Sequence, residues 1–386
     1  MDVIPYNKPF LTGKETSYIK EAVCSGKISG NGMFTKRCQE YFEKRYGFKK
    51  ALLTTSCTDA LEMAAILCGI RPGDEVIVPS YTFVSSALAF VRQGARIVFA
   101  DSCADNPNID TNKIEPLITE RTKVIVPVHY AGMACDMDAI MNIAERHNLI
   151  VVEDAAQAID SYYKGRPLGS IGHLGCFSFH ETKNLIAGEG GMLTINDDRF
   201  IRRSEIIWEK GTNRSEFFRG EVNKYGWVDT GSSFLPSELV SAFLWAQIEH
   251  IADIQKRRIE IWNRYNAGFS EIAHKQLVDL PDVPSYATVN GHIFYLVCRS
   301  LEQRSALISY LKERGIMAVF HYLSLHKSDF YMTHKEHRPR KDCMDAPASL
   351  PCCDRYNDCL VRLPLFFELT DPQVDYIIDT VNSFYI

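Results

Sequence analysis

The sequence predicts an α/β protein: a large, mostly parallel sheet covered by helices on both faces, followed by a smaller C-terminal α+β domain. Three observations lead there. Short apolar runs alternate with helical patterns from Ala51 to Glu153, as expected of parallel strands buried on both faces. The chain has 386 residues, more than the roughly 250–300 that one hydrophobic core usually organises. A long helical pattern from Ser237 to about Phe269 reads as a spine joining two domains. It sets the expected division, with residues 1–240 as the large domain and 241–386 as linking helix and small domain.

In chain order, residues 1–35 read as an irregular arm with one helical stretch, Lys14 to Ser25, and Lys36 to Tyr46 is an amphipathic helix. Strand patterns then fall at Ala51–Thr54, Glu75–Val78, Arg96–Ala100, Lys123–Val128, Leu149–Glu153, Leu174–Phe179 and Gly191–Ile195. Helical patterns fall at Thr58–Cys68, Phe83–Arg92, Asp136–His147 and Asp198–Glu209. After a polar, turn-rich loop from Lys210 to Ser233 comes the spine. Beyond the linker Pro281 to Pro284, strand His292–Arg299, helix Glu302–Arg314, strand Met317–His321 and a helix from Asp371 make the small unit. The polar segment from His326 to Asp358 is expected to be loop with some helix.

Net charge is -5 and the pI near 6.1, which provides no electrostatic footprint for nucleic acid or an anionic membrane. No stretch approaches about 18 uninterrupted apolar residues, and the N-terminal residues lack the pattern of a signal peptide. A cytoplasmic location is therefore expected, with the 12 cysteines as reduced thiols. No metal is expected, since zinc-ligand spacing is lacking.

Ligands of an open parallel sheet sit outside the carboxyl ends of its strands. Thr55-Ser-Cys-Thr58, Pro79-Ser-Tyr-Thr-Phe83, His129-Tyr130, Asp154 and Lys183 all fall there. A lysine at one strand end and an aspartate at another are what a pyridoxal phosphate (PLP) site needs. The amine links to the cofactor's aldehyde and the carboxylate keeps the pyridine nitrogen protonated. Each group also has an ordinary reading: Lys183 as a solvated surface amine, Asp154 as a helix N-cap, Phe83 as core. Hydroxyls at 55–58 make either an N-cap or a phosphate cup at a helix start. Gln157 could meet the ring hydroxyl and Ser178 the phosphate. His180 is an acid/base, a substrate contact or a structural histidine. A dinucleotide-binding dehydrogenase is disfavoured, because no Gly-x-Gly-x-x-Gly follows the first strand.

The same motifs, with Pro127-Val-His-Tyr-Ala-Gly132, Glu153-Asp-Ala-Ala-Gln157, Ser178-Phe-His-Glu-Thr-Lys183-Asn and Gly188-Glu-Gly-Gly191, resemble the DegT/StrS sugar-nucleotide aminotransferases. That family has the fold of PLP-dependent transferases (fold type I). The resemblance assigns Lys183 as the Schiff-base lysine, Asp154 as partner of the pyridine nitrogen, Phe83 as stacking ring and Gln157 as ring contact. It places Thr58, Asp59 and Ser178 at the phosphate, although Asp59, as a carboxylate, should turn its side chain away. His321, Tyr322 and His326 resemble the segment that approaches the sugar; Lys210, Arg214 and Arg219 would meet the diphosphate, or form a solvated charged loop. It further implies a homodimer with shared active sites. Trp208 to Ser215, Phe217-Phe-Arg-Gly220, Leu244-Trp-Ala-Gln247 and Ala318-Val-Phe-His321-Tyr are similar to members that move the amino group of L-glutamate to C4 of dTDP-4-keto-6-deoxyglucose. Amination at C3, of a UDP-linked sugar, or with the other C4 stereochemistry stands as the alternative, and a PLP-binding protein without turnover as a lesser one.

Overall fold

The apolar strand runs are continuous because each strand serves two cores at once. The computed structural model describes residues 3–339 and 349–385. In it Leu52, Val76, Val78, Val124 and Val152 enter one apolar cluster, while their neighbours Ala51, Leu53, Ile77, Ile125 and Val151 enter a second on the opposite face. The period-two alternation of a strand produces this split.

Strands β1 (Lys50–Thr54), β2 (Glu75–Pro79), β3 (Arg96–Ala100), β4 (Thr122–Ile125) and β5 (Ile150–Asp154) precede a short hairpin, β6 (Tyr162–Tyr163) with β7 (Arg166–Pro167). Then come β8 (Leu174–Ser178) and β9 (Gly191–Ile195). Seven of these form one sheet in the order β1-β9-β8-β5-β4-β2-β3. Only β9 runs antiparallel to its neighbours. The β8–β9 connection is too short for a crossover helix, so the chain must return antiparallel. Its return puts Gly191 opposite both Thr54 and Ser178, at the same edge where the parallel strands end.

Helices α1 (Glu15–Cys24), α2 (Met33–Tyr46), α3 (Cys57–Leu67), α4 (Ser85–Val91), α5 (Met137–His147) and α6 (Asp198–Trp208) follow the sequence reading closely, while α7 (Arg214–Phe218) is a short helix inside the segment expected to be loop. The expected spine does not run unbroken. It divides into α8 (Glu238–Ile248) and α9 (Ile251–Gly268), with His250 outside the helical region at φ -111 and ψ 12. The change of core comes later, inside α9. Leu244, Ile248, Ile251 and Ile254 serve the large sheet, whereas Ile261, Trp262 and Tyr265 serve a third cluster. That cluster backs a small sheet, order β10-β12-β11, made of β10 (Phe294–Val297), β11 (Val319–Phe320) and β12 (Leu360–Leu363). The N-terminal arm reaches it too: Ile4 pairs with Ile316 and is buried among its residues. The polar segment after His326 carries helices Asp329–Thr333 and Pro351–Cys359; its residues 340–348 lie outside those described.

Among the described residues no helix is long and apolar enough to cross a membrane, and no His/Cys/Asp/Glu group could hold a metal ion.

One glycine is decided by a close approach. A Cβ on Gly191 would stand 2.3 Å from the Ser56 carbonyl carbon and 2.4 Å from the Cys57 nitrogen, so only glycine lets α3 start against β9. Gly191→Ala should lower stability by about 1–3 kcal/mol, the usual cost of overpacking, read as a shift in the denaturant midpoint. Gly226→Ala, where the added carbon meets nothing within 4 Å, should stay within about 0.5 kcal/mol of wild type.

Candidate active site

The strand ends, the start of α3 and the first residues of the small sheet enclose a cavity of about 580 Å³. Asp154 closes β5 and is buried. Its Oδ2 accepts from Ser86 Oγ at 2.6 Å and its Oδ1 from the Ala156 N–H at 3.1 Å. Burial raises its pKa, and those two bonds oppose the rise. Ser86 is held in turn by Thr82 Oγ1 at 2.8 Å. Gln157 is engaged at both ends: its Oε1 accepts from the Ala131 N–H at 2.7 Å and its Nε2 donates to the Tyr322 hydroxyl at 2.8 Å.

Lys183 lies in the β8–β9 turn, where its N–H donates to the His180 carbonyl at 2.9 Å. The side chain lines the same cavity as Asp154. Burial lowers its pKa, against the opposite pull of Cys57 and Asp154. Its ammonium makes no hydrogen bond or ion pair with the described residues. Desolvation favours the neutral, nucleophilic form of such an amine.

Ser56, Cys57 and Thr58 line the same cavity where α3 begins. Both ordinary and ligand-binding readings of this stretch have a place. Ser56 is the N-cap, its Oγ accepting from the Asp59 N–H at 3.1 Å. Thr58 Oγ1 meets Ser85 Oγ at 2.7 Å within the cavity wall. Ser178 also lines the cavity. Asp59 does not: its carboxylate takes the Thr55 hydroxyl and its N–H is used by Ser56. A carboxylate turned away removes repulsion from an anion site, and the residue is withdrawn from the binding set.

Phe83 is 55% exposed, with its ring at the cavity 6.1 Å from that of Tyr322. Tyr322 stacks on His321 at 3.6 Å, and His321 Nδ1 meets the Tyr130 hydroxyl at 2.6 Å. His180 lines the cavity with Nδ1 at 3.0 Å from Thr182 Oγ1.

Four expected substrate contacts fall elsewhere. His326 bonds Ser80 Oγ at 2.7 Å and faces Asp354 at 3.5 Å; it ties a loop down outside the cavity. Arg219 is neutralised by Glu205 and Glu221 at 2.9 and 2.7 Å. Arg214 lies over the Phe218 ring at 5.1 Å, and Lys210 occupies a positive-φ turn. None of these three lines the cavity of its own chain: Arg219 is held by Glu205 of α6 and Glu221, and Arg214 by the ring of Phe218. Conversely, Ser86, Tyr6, His292 and Arg362 belong to the site or its support and carried no local signal. Ser86 sits in an apolar helix, Arg362 in an apolar strand, and Tyr6 in an irregular arm.

The DegT/DnrJ/EryC1/StrS aminotransferase family matches residues 9–382. The chain belongs to that family. It is 34% identical to the spore coat polysaccharide biosynthesis protein SpsC of Bacillus subtilis, over 98% of this chain and 96% of that one. It is 30% identical to the GDP-perosamine synthase of Escherichia coli O157:H7, over 100% and 99%. Among solved structures, the candidate sugar aminotransferase Spr1654 of Streptococcus pneumoniae in its PLP form superposes with a TM-score of 0.88 at 27% identity, covering 99% of this chain and 98% of that one. The DegT/StrS fold is that of PLP-dependent transferases, and the cofactor is pyridoxal 5'-phosphate.

The residues present fit that cofactor. A buried carboxylate without a cationic partner suits a protonated ring nitrogen, an unpaired amine suits an aldehyde, and the N–H groups of a helix start suit a phosphate.

Because burial penalises the charged amine, Lys183→Met should stabilise the cofactor-free protein. The sign follows from the lowered pKa: the penalty is complete below the folded-state value and is lifted as pH rises from there toward 10.5. The stability advantage of Lys183→Met should therefore be largest near neutrality and shrink through alkaline pH. Urea midpoints measured across that range check it; an advantage growing with pH would contradict it.

Proposed function

We propose that this aminotransferase moves the amino group of L-glutamate to the C4 ketone of dTDP-4-keto-6-deoxy-D-glucose, giving dTDP-4-amino-4,6-dideoxy-D-galactose and 2-oxoglutarate. The observation that carries the reading is the pair Lys183 and Asp154 in one cavity. The similarity of Trp208 to Ser215 and of Ala318 to Tyr322 to members acting on that sugar narrows the substrate.

When bound, pyridoxal phosphate supplies an electron sink for the carbon that loses a proton. The chain's own groups do the rest. Lys183 would hold the cofactor by its amine, and once displaced by the donor it carries a proton from the donor carbon; with the sugar it returns one to C4. Asp154, which accepts from Ser86 and the Ala156 N–H, would hold the proton on the ring nitrogen. Thr58, Ser178 and the N–H groups of α3 grip the phosphate. Phe83 would stack on the ring and Gln157 would meet its hydroxyl, both lining the cavity. His321 and Tyr322 position the sugar, with His180 near the turn of Lys183.

The functional unit is a homodimer with each site completed by the partner. The loop holding Lys210, Arg214 and Arg219 exposes Phe218, Tyr225 and Trp227, and a second subunit would cover them. A GDP- or UDP-linked keto-sugar is the competing substrate, favoured by the likeness to a GDP-perosamine synthase.

Incubation of the holoenzyme with L-glutamate and a panel of dTDP-, GDP- and UDP-linked keto-sugars, followed by product NMR, separates these readings. The amine should appear at C4 of the dTDP sugar; turnover only with GDP or UDP substrates would refute the assignment. Lys183→Ala should lose about 10³-fold or more in rate.

A further inference from the structure

The small-sheet wall of the cavity holds a charge with no part in the chemistry above. Arg362 lies in β12 between Val361 and Leu363, both buried in the small-sheet core. Strand alternation turns Arg362 to the other face, where it lines the cavity. Its Nε and Nη2 both donate to the Phe320 carbonyl, at 3.4 and 3.1 Å. Among the described residues no carboxylate stands within ion-pairing distance of it. The guanidinium lies 4.6 Å from the centre of the Tyr6 ring, and Tyr6 lines the cavity with its hydroxyl unbonded to any described residue. The arm bearing Tyr6 is pinned on both sides. Ile4 exchanges backbone bonds with Gly315 and Met317 at 2.8 and 3.0 Å, and Asn7 Nδ2 donates to the Glu181 carbonyl at 3.2 Å.

A half-buried guanidinium that lines a cavity without a carboxylate partner is free to take an anion, and its planar fork matches a carboxylate or a phosphate. Two anions enter under the proposed function: the carboxylates of the amino donor and the diphosphate of the sugar nucleotide. Covalent connectivity separates them. The donor's α-carboxylate is bonded to the carbon that surrenders the amine, so it must lie beside Lys183. A diphosphate is separated from a C4 ketone by the sugar ring. Asn7, next to Tyr6, is bonded to Glu181 in the turn that carries Lys183, and Arg362 lines the same cavity as Lys183, His292 and His321, so the pair stands on the side of the reacting amine.

We infer that Arg362 and Tyr6 together bind the α-carboxylate of the amino donor, the guanidinium through its free N–H edge and the phenol through one hydrogen bond. The assignment rests on the reading that the donor is an amino acid. It makes the N-terminal arm part of donor selection.

The test uses the holoenzyme and glutarate, a dicarboxylate that cannot transfer an amine, with binding followed by calorimetry. Arg362→Gln should weaken glutarate, and raise the half-saturating L-glutamate of the donor half-reaction, by about 10- to 100-fold, as loss of a charge-assisted pair implies. Tyr6→Phe should cost about 3- to 10-fold. The half-reaction with the keto-sugar, started from amine-loaded enzyme, should lose less than the donor half-reaction in both, and Arg362→Lys should recover part of the donor loss. Unchanged glutarate affinity in an Arg362→Gln protein that retains the wild-type cofactor absorbance would overturn the inference, as would a loss confined to dTDP binding. If Arg362→Gln does not fold, unchanged affinity in Tyr6→Phe overturns it alone. A wild-type enzyme that binds glutarate through Arg362 yet takes no amine from glutamate leaves the carboxylate site standing and refutes the wider function.

Discussion

The active site turns on a carboxylate and an amine that have no ion-pair partner among the described residues. Asp154 and Lys183 face one cavity, and enclosure pushes the carboxyl up and the amine down in pKa. A fold that keeps both must hold them by covalent placement at strand ends, since their own electrostatics favour neither as an ion. The cofactor supplies what each lacks, so binding energy and catalytic poise have one source.

The residue next to Asp154 shows how the placement is enforced. Glu153, fully buried, accepts from His129 Nε2 at 2.9 Å, from the Gly169 N–H at 2.8 Å and from the Ile171 N–H at 2.7 Å. His129 Nδ1 takes the Cys135 N–H at 3.2 Å, which leaves Nε2 as the nitrogen that donates to Glu153. One saturated carboxylate locks the end of β5 from below, while its neighbour projects, sparsely bonded, into the cavity. Adjacent acids on opposite faces of one strand thus divide into a fastener and a reagent.

Much of this was legible in the sequence wherever local chemistry and global position coincide. Alternation of apolar runs with helices exposed the parallel sheet, and the rule that ligands meet strand ends collected Thr58, Phe83, Asp154, Gln157, Ser178 and Lys183 around one cavity. Legibility failed where position depends on contacts distant in the chain. Nothing near His326 announces that Ser80 would claim its ring, and nothing near Arg219 reveals Glu205. The break at His250 contains neither glycine nor proline to announce it, and apolar residues on both sides of it serve the large sheet. Arg362 and Tyr6 meet across more than 350 residues, beyond any motif.

The reversed strand has a consequence for how such an enzyme can change. The turn bearing Lys183 is bracketed by two strands whose partners are register-locked at Ser178 and Gly191, with α3 seated against that glycine. Lengthening the turn would displace the amine, and shortening it would unzip the hairpin. Insertions that diversify substrate choice must therefore accumulate in segments free of that lock, such as the loop from Lys210 to Ser233, leaving the reactive centre as a fixed reference about which specificity drifts.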